Sequence, residues 1–211
     1  MTTLEYEAEP AAAAELFGTH IDVARKYTDD LAQRGEELGL IGPLELPRLW
    51  SRHILNSALL APLVRRGARV GDIGSGAGLP GLVVALARPD AQFVLIEPME
   101  RRCDWLRHEA AELGLTNVEV MRARAEEAHL SPLLDQATAR AVSALSKLLP
   151  LTVPLVRSGG EVILMKGANI EAEALAAAKA IKRLRLTDIE ILLLGDGVAT
   201  EVTRVFRATV D

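Results

Sequence analysis

The chain predicts an α/β fold, a seven-stranded Rossmann-like sheet with an antiparallel last strand, preceded by a small N-terminal helical region. Three observations carry this. From Gly67 onward, strand-like apolar runs alternate with helical ones, the pattern of a parallel sheet covered on both faces. Arg69 to Gly81 (RVGDIGSGAGLPG) reads as a short strand entering a glycine-rich turn that opens a helix. Between the last two strands stand only Gly195-Asp196-Gly197 and their neighbours, too short for a crossover, so the final strand runs antiparallel.

The elements follow in order. Residues 1–66 read as helical. Pro10 opens a helix over Ala11–Phe17, and Thr19 caps a second through Val23, Ala24, Tyr27, Leu31 and Leu38. Gly39, Gly42, Pro43 and Pro47 break the chain, and a third helix runs from about Arg48 towards Ala61. Strands are expected near 69–73, 92–97, 118–122, 135–140, 160–166, 187–194 and 201–209. Helices are expected near 80–87, 100–113, 142–156 and 171–183. Pro80 suits the first position of its helix, where an N–H would lack an intrahelical partner. The chain therefore divides into a helical region, 1–66, and a sheet domain, 67–211.

Composition bounds the function. The 211 residues are 49% hydrophobic, enough to bury a sizeable core, and no segment is long enough to span a bilayer. Met1 to Glu7 is acidic and lacks an apolar run, so it is not a secretory signal, and a cytoplasmic location is the expectation. A single cysteine, Cys103, excludes an internal disulfide and a cysteine-built metal cluster. His20, His108 and His129 have no metal-ligand partners at useful spacings, so no metal is expected. With a formal net charge of −5, any nucleic-acid surface must be a local patch.

The glycine turn can be read in two frames. Gly76 to Gly81 satisfies the dinucleotide fingerprint G-x-G-x-x-G, a weak pattern alone. Asp72-x-Gly74-x-Gly76-x-Gly78 resembles motif I of the class I S-adenosylmethionine (SAM) methyltransferases. The second frame is favoured physically. A carboxylate at the strand end repels a pyrophosphate but suits the cationic methionine end of SAM. Pro80 also removes one of the helix N-terminal donors that phosphate binding uses. Glu97 ends the second strand about twenty residues beyond the glycines, where a ribose-binding acid belongs. After the third strand, the backbone at Ala125 and Glu126 is placed to read an adenine edge; a plain charged connecting loop is the alternative.

After the fourth strand the chain reads Ala139 to Leu145, where methyltransferases place the residues that meet the acceptor. Neither the Asn/Asp-Pro-Pro-Tyr/Phe amine clamp nor a cysteine nucleophile is present there. Arg140, a fixed cation, remains, against a structural ion pair at a strand end. Lys166 closes the fifth strand and shares that edge. His53 and Trp50 read as packing or hydrogen-bonding residues, and Cys103 as packing within a helix.

At this point the chain resembles a known family. Arg52-His53-Ile54-Leu55-Asn56-Ser57, Asp72 to Gly81, Ala139-Arg140-Ala141 and Met165-Lys166-Gly167 are similar, in order, to four signatures of the bacterial 16S ribosomal RNA guanine-N7 methyltransferases. This is the glucose-inhibited division protein B family. Asn56 stands where the family commonly has Asp, and Leu40-Ile41-Gly42-Pro43 replaces its usual Asn-Leu-Thr. The resemblance implies the class I SAM-methyltransferase fold and transfer of a methyl group from SAM to N7 of one guanine in the decoding region of the small ribosomal subunit. S-adenosylhomocysteine is then the product and 16S rRNA the partner; a monomer is the expectation, though the sequence itself does not give the oligomeric state. Loss of the family's activity is associated with low-level streptomycin resistance. Carried over by position, the resemblance implies SAM contacts at Gly74, Leu79, Ala125, Glu126 and Arg140, beside those read above at Asp72, Gly76, Gly78 and Glu97. Arg140 and Lys166 are the candidate catalytic pair. Guanine N7 carries an unprotonated lone pair, so the transfer needs no general base and is largely catalysis by positioning. Two other functions stay open: a SAM methyltransferase acting on a small molecule or protein, and a non-catalytic nucleoside-binding docking module.

Overall fold

A computed structural model of the chain describes residues 6–140, 142–197 and 201–211. Seven strands form one sheet: β1 (Arg69–Ile73), β2 (Gln92–Ile96), β3 (Val118–Met121), β4 (Leu134–Arg140), β5 (Val156–Lys166), β6 (Leu186–Leu194) and β7 (Thr203–Val210). Their order is β3-β2-β1-β4-β5-β7-β6, and β7 runs antiparallel to both neighbours while the other pairs are parallel. Strand order reverses between β1 and β4, so a crevice opens at the carboxyl ends of those two strands.

The helices are α1 (Ala12–Phe17), α2 (Ile21–Arg34), α3 (Asn56–Ala58), α4 (Gly81–Ala87), α5 (Glu100–Glu112), α6 (Leu145–Thr152), α7 (Ile170–Ala176) and α8 (Ala178–Arg183). One core joins α1, α2, α4 and α5 to the sheet through Phe17, Tyr27, Leu31, Leu82, Phe93 and Trp105. The opposite face is sealed by Leu145, Leu148, Leu149 and Ile170 against Ile73, Leu164 and Phe206. Burying such side chains contributes roughly 1.5–3 kcal/mol each. Among the described residues no helix is long and apolar enough to cross a membrane.

Several boundaries differ from the pattern. Helix α2 stops at Arg34, and Leu38 lies in the turns that follow. Thr19 does not cap it, because His20 holds that position without a side-chain bond. The third N-terminal helix is a π-helix over Leu49–Leu55 that tightens into α3, a distinction apolar spacing does not encode. Pro80 occupies the cap position of α4 rather than its first turn. Strand β5 begins at Val156 rather than near residue 160, since Val156 pairs with Leu134 before a bulge.

Candidate active site at the carboxyl edge of the sheet

Beyond β1 the chain turns through Gly74, Gly76 and Gly78, all at positive φ. A Cβ added at Gly76 would meet nothing nearer than the Gly74 carbonyl at 3.9 Å, so the backbone there fronts open space. A Cβ at Gly78 would lie 2.4 Å from Leu82 Cδ1, so that glycine serves the packing of α4 instead. Two buried aromatic donors fix the turn from behind. Tyr27 Oη and Trp105 Nε1 both donate to the Ala77 carbonyl, at 2.9 and 2.8 Å. Leu79 is buried beside them.

Asp72 is fully buried beneath this turn. Its Oδ2 accepts the Gly81 N–H at 3.0 Å, tying β1 to the start of α4, while Oδ1 has no partner. Burial pushes its carboxyl up to about 7, against the pull of the Gly81 N–H. Glu97, just past β2, is also buried; Oε2 accepts from Gly76 N at 3.0 Å and Oε1 from Met99 N at 2.9 Å. Each oxygen keeps a further lone pair for an incoming donor. Cys103 donates to the Glu97 carbonyl at 3.0 Å and is buried, a packing residue. Ala125 and Glu126 head a 3₁₀ turn whose internal bonds begin at Glu127, so their own N–H groups are not consumed by it.

These features fit S-adenosylmethionine. Glu97 has acceptors to spare for ribose hydroxyls, and Asp72, fully buried behind the turn with one oxygen orphaned, can act on a cation through its charge alone. The open front of Gly76 admits a ligand where any side chain would intrude.

At the end of β4, Arg140 donates from Nη2 to His53 Nδ1 at 2.8 Å and from Nη1 to the Arg52 carbonyl at 3.3 Å. It pairs with no carboxylate among the described residues. Since arginine only donates, His53 Nδ1 accepts, and Nε2 carries the proton that bonds Glu45 Oε2 at 2.7 Å. Burial, and then the neighbouring Arg140 charge, lower the His53 pKa to about 4. Ala141, next in the chain, lies outside the described residues.

A cavity of about 520 Å³ opens beyond Arg140, and its walls bring together Arg52, Arg140, Lys166 and Arg204. Strand register explains the cluster. Arg140 stands opposite Met165 on β5, and Lys166 stands opposite Arg204 on antiparallel β7. Lys166 Nζ donates to the Ser143 carbonyl at 2.6 Å and pairs with Glu173 at 2.7 Å, which leaves one of its three donors. Arg52 lies 3.4 Å from Glu201 and 3.7 Å from Glu45.

The structure thus gathers Gly74, Gly76, Gly78, Glu97 and Arg140 around one crevice, with Lys166 on its far side. Asp72 lies behind the glycine turn rather than in front of it. Trp50 is core, 2% exposed. Glu45, Tyr27 and Trp105 escaped the sequence, because none belongs to a motif and Tyr27 and Trp105 act through a contact distant in the chain.

A family profile described as "rRNA small subunit methyltransferase G" matches residues 20–199. The curated "Ribosomal RNA small subunit methyltransferase G" of Leifsonia xyli subsp. xyli is 65% identical over 204 residues, covering 97% of each chain. Among solved structures, a SAM-dependent methyltransferase from Aquifex aeolicus superposes with a TM-score of 0.59 at 17% identity, over 82% of this chain and 98% of that one. M. jannaschii TYW2 in complex with AdoMet also gives 0.59, at 19% identity over 76% of each chain. At such identities the structural likeness establishes the fold alone.

Proposed function

The chain belongs to the rRNA small subunit methyltransferase G family, and from that premise we propose that it methylates N7 of a guanine in the decoding region of 16S rRNA. Its cofactor is S-adenosylmethionine, and its activity is methylation of small-subunit ribosomal RNA. The observation that carries the RNA reading is the cationic cavity. In a chain of formal net charge −5, Arg52, Arg140, Lys166 and Arg204 converge beside the glycine crevice, where an acceptor must meet the methyl group. Glu45 and Glu201 line the same cavity and pair with Arg52, while Arg140 and Arg204 pair with no carboxylate among the described residues.

SAM supplies a methyl group activated by its sulfonium. The rest is positioning by the chain. Glu97 holds the ribose, the Ala125 and Glu126 amides hold the adenine edge, and Asp72 supports the cationic methionine end from behind the turn. Arg140 stands between this cradle and the cavity and aligns cofactor with acceptor. Guanine N7 arrives with its lone pair free, so no residue has to remove a proton. The remaining Lys166 donor holds the guanine O6 and so the pose of the ring; because the charge the ring gains is positive, this contact positions rather than stabilises.

The test is to map N7-methylguanine in 16S rRNA from cells with and without the gene, and to follow tritium transfer from labelled SAM to small subunits from the deleted strain. One N7-methylguanine lost on deletion and restored by the purified protein is the expected result. Unchanged 16S rRNA methylation would refute it.

A further inference from the structure

We infer that Asn56 and Thr203 read the base in the cavity beyond Arg140, selecting guanine by accepting hydrogen bonds from its Watson–Crick edge. This rests on the function proposed above. Asn56 Oδ1 and Thr203 Oγ1 are both buried without a hydrogen-bond partner, and both residues wall the cavity. Asn56 is 9% exposed and Thr203 4%. Buried side-chain oxygens are nearly always paired, so two orphaned oxygens on residues of one wall are acceptors for a ligand once their side chains turn to it. They come from opposite ends of the chain: Asn56 begins α3 after the π-helix, and Thr203 opens β7. No local structural requirement links them; the cavity does.

The chemistry matches guanine. With N7 turned to the methyl donor, the opposite edge of the ring presents the N1–H and N2–H donors. An amide oxygen and a hydroxyl oxygen accept those protons. Adenine in the same place offers an unprotonated N1 and no amine there, leaving both oxygens unsatisfied. A site built to hydrogen-bond such groups rejects an analogue lacking them far more strongly than an apolar pocket could. The cavity volume of about 520 Å³ is in the range that admits a nucleotide turned out of its helix. Arg204, unpaired with any carboxylate among the described residues, is available on the same wall for the attached phosphate.

The experiment compares N56A, T203V and N56D with the wild type. It uses tritium transfer to small ribosomal subunits from the deleted strain, SAM titration by calorimetry, and melting curves. N56A and T203V are expected to lose ten-fold or more in kcat/KM for the subunit, while the SAM dissociation constant stays within two-fold. N56D keeps acceptor oxygens among cationic neighbours and is expected to retain at least a third of the transfer. If N56A fails to fold, T203V, which has nearly the same shape, carries the test. Near-normal kcat/KM in the folded variants overturns the inference, as does a parallel loss of SAM affinity or an N56D as inactive as N56A. Absence of transfer by the wild type would instead overturn the proposed function.

Discussion

Arg140 donates to Nδ1 of His53 across 2.8 Å, and this contact fixes the tautomer of a histidine whose other nitrogen is 2.7 Å from Glu45. The order Glu45, His53, Arg140 is therefore directional, with both links satisfied together only if the imidazole is neutral. The guanidinium is held from one side, and its remaining N–H groups meet no carboxylate among the described residues.

Lysine in place of arginine would retain the charge but not the fork that reaches both His53 Nδ1 and the Arg52 carbonyl. Arg140→Lys is expected to melt close to wild type and to lose at least about ten-fold in methyl transfer, or ~1.4 kcal/mol. His53→Phe removes the acceptor and should cost on the order of 1–3 kcal/mol in kcat/KM; His53→Asn should recover part of it. Because the His53 pKa lies at about 4, the rate profile should show no histidine limb between pH 5.5 and 7.5. Steady-state transfer at several pH values, beside melting curves, checks all three. A near-normal, well-folded Arg140→Lys protein would show that Arg140 is structural.

The sheet and its cofactor edge were legible in the sequence because they obey local rules. Alternating strand and helix periods, three spaced glycines and an acid about twenty residues on are readable without tertiary information. The arrangement behind the edge was not. Glu45 lies between Pro43 and Pro47, in a stretch whose composition says only that a helix ends. Tyr27 and Trp105 meet at the Ala77 carbonyl across 50 and 28 residues, and each looks like ordinary core from its own helix. The cation cluster depends on Lys166 facing Arg204, a register between β5 and β7 that neither strand specifies alone.

Asp72 is expected to link SAM affinity to pH. Burial holds its carboxyl near pH 7, raised above the ordinary carboxylate range, so in the free protein it is mostly protonated at pH 6 and half ionised at pH 7. A cationic ligand binds the ionised form better. The SAM dissociation constant should therefore tighten by up to about five-fold from pH 6 to 7, a window below the titration of the ligand's own α-amino group. Asp72→Asn should flatten the dependence. Calorimetry in buffers of different ionisation enthalpy would also detect the released proton. Identical affinity at the two pH values would place the Asp72 charge outside the binding equilibrium.

Glu109 is the corresponding site for stability alone. It is fully buried on α5 with neither carboxylate oxygen bonded, and burial, then the Asp30 charge, raise its pKa to about 7. Glu112 is a further nearby acid, while Arg34 and Lys26 act in the opposite sense. A raised folded-state pKa gives stability that is complete below the unfolded value and lost as pH rises through about 7. Glu109→Gln removes that loss and is expected to stabilise the protein by about 1–3 kcal/mol at pH 8. At pH 4, below the unfolded value, the two proteins should melt nearly together. A variant that melts lower than wild type at pH 8 would mean that the ionised carboxylate is already compensated.

Gly76 and Gly78 look equivalent in the motif but make opposite demands. Gly76 has φ +57° with open space before it, whereas Gly78 has φ +102° with Leu82 against its α-carbon. Alanine at Gly76 accepts a left-handed conformation, costing about 1–2 kcal/mol, and displaces no protein atom. Its methyl instead occupies the space in front of the turn, where the cofactor is proposed to lie. Gly76→Ala should therefore fold, melt a few degrees lower, and bind SAM at least about ten-fold more weakly, a loss of ~1.4 kcal/mol. Alanine at Gly78 combines backbone strain with a methyl forced to 2.4 Å from Leu82 Cδ1. It should lower the melting temperature more, by a further ~1–3 kcal/mol of overpacking, with α4 displaced. Melting curves and SAM titrations on the two proteins separate the cases. Wild-type SAM affinity in a folded Gly76→Ala protein would show that the open space before the turn is not where the cofactor lies.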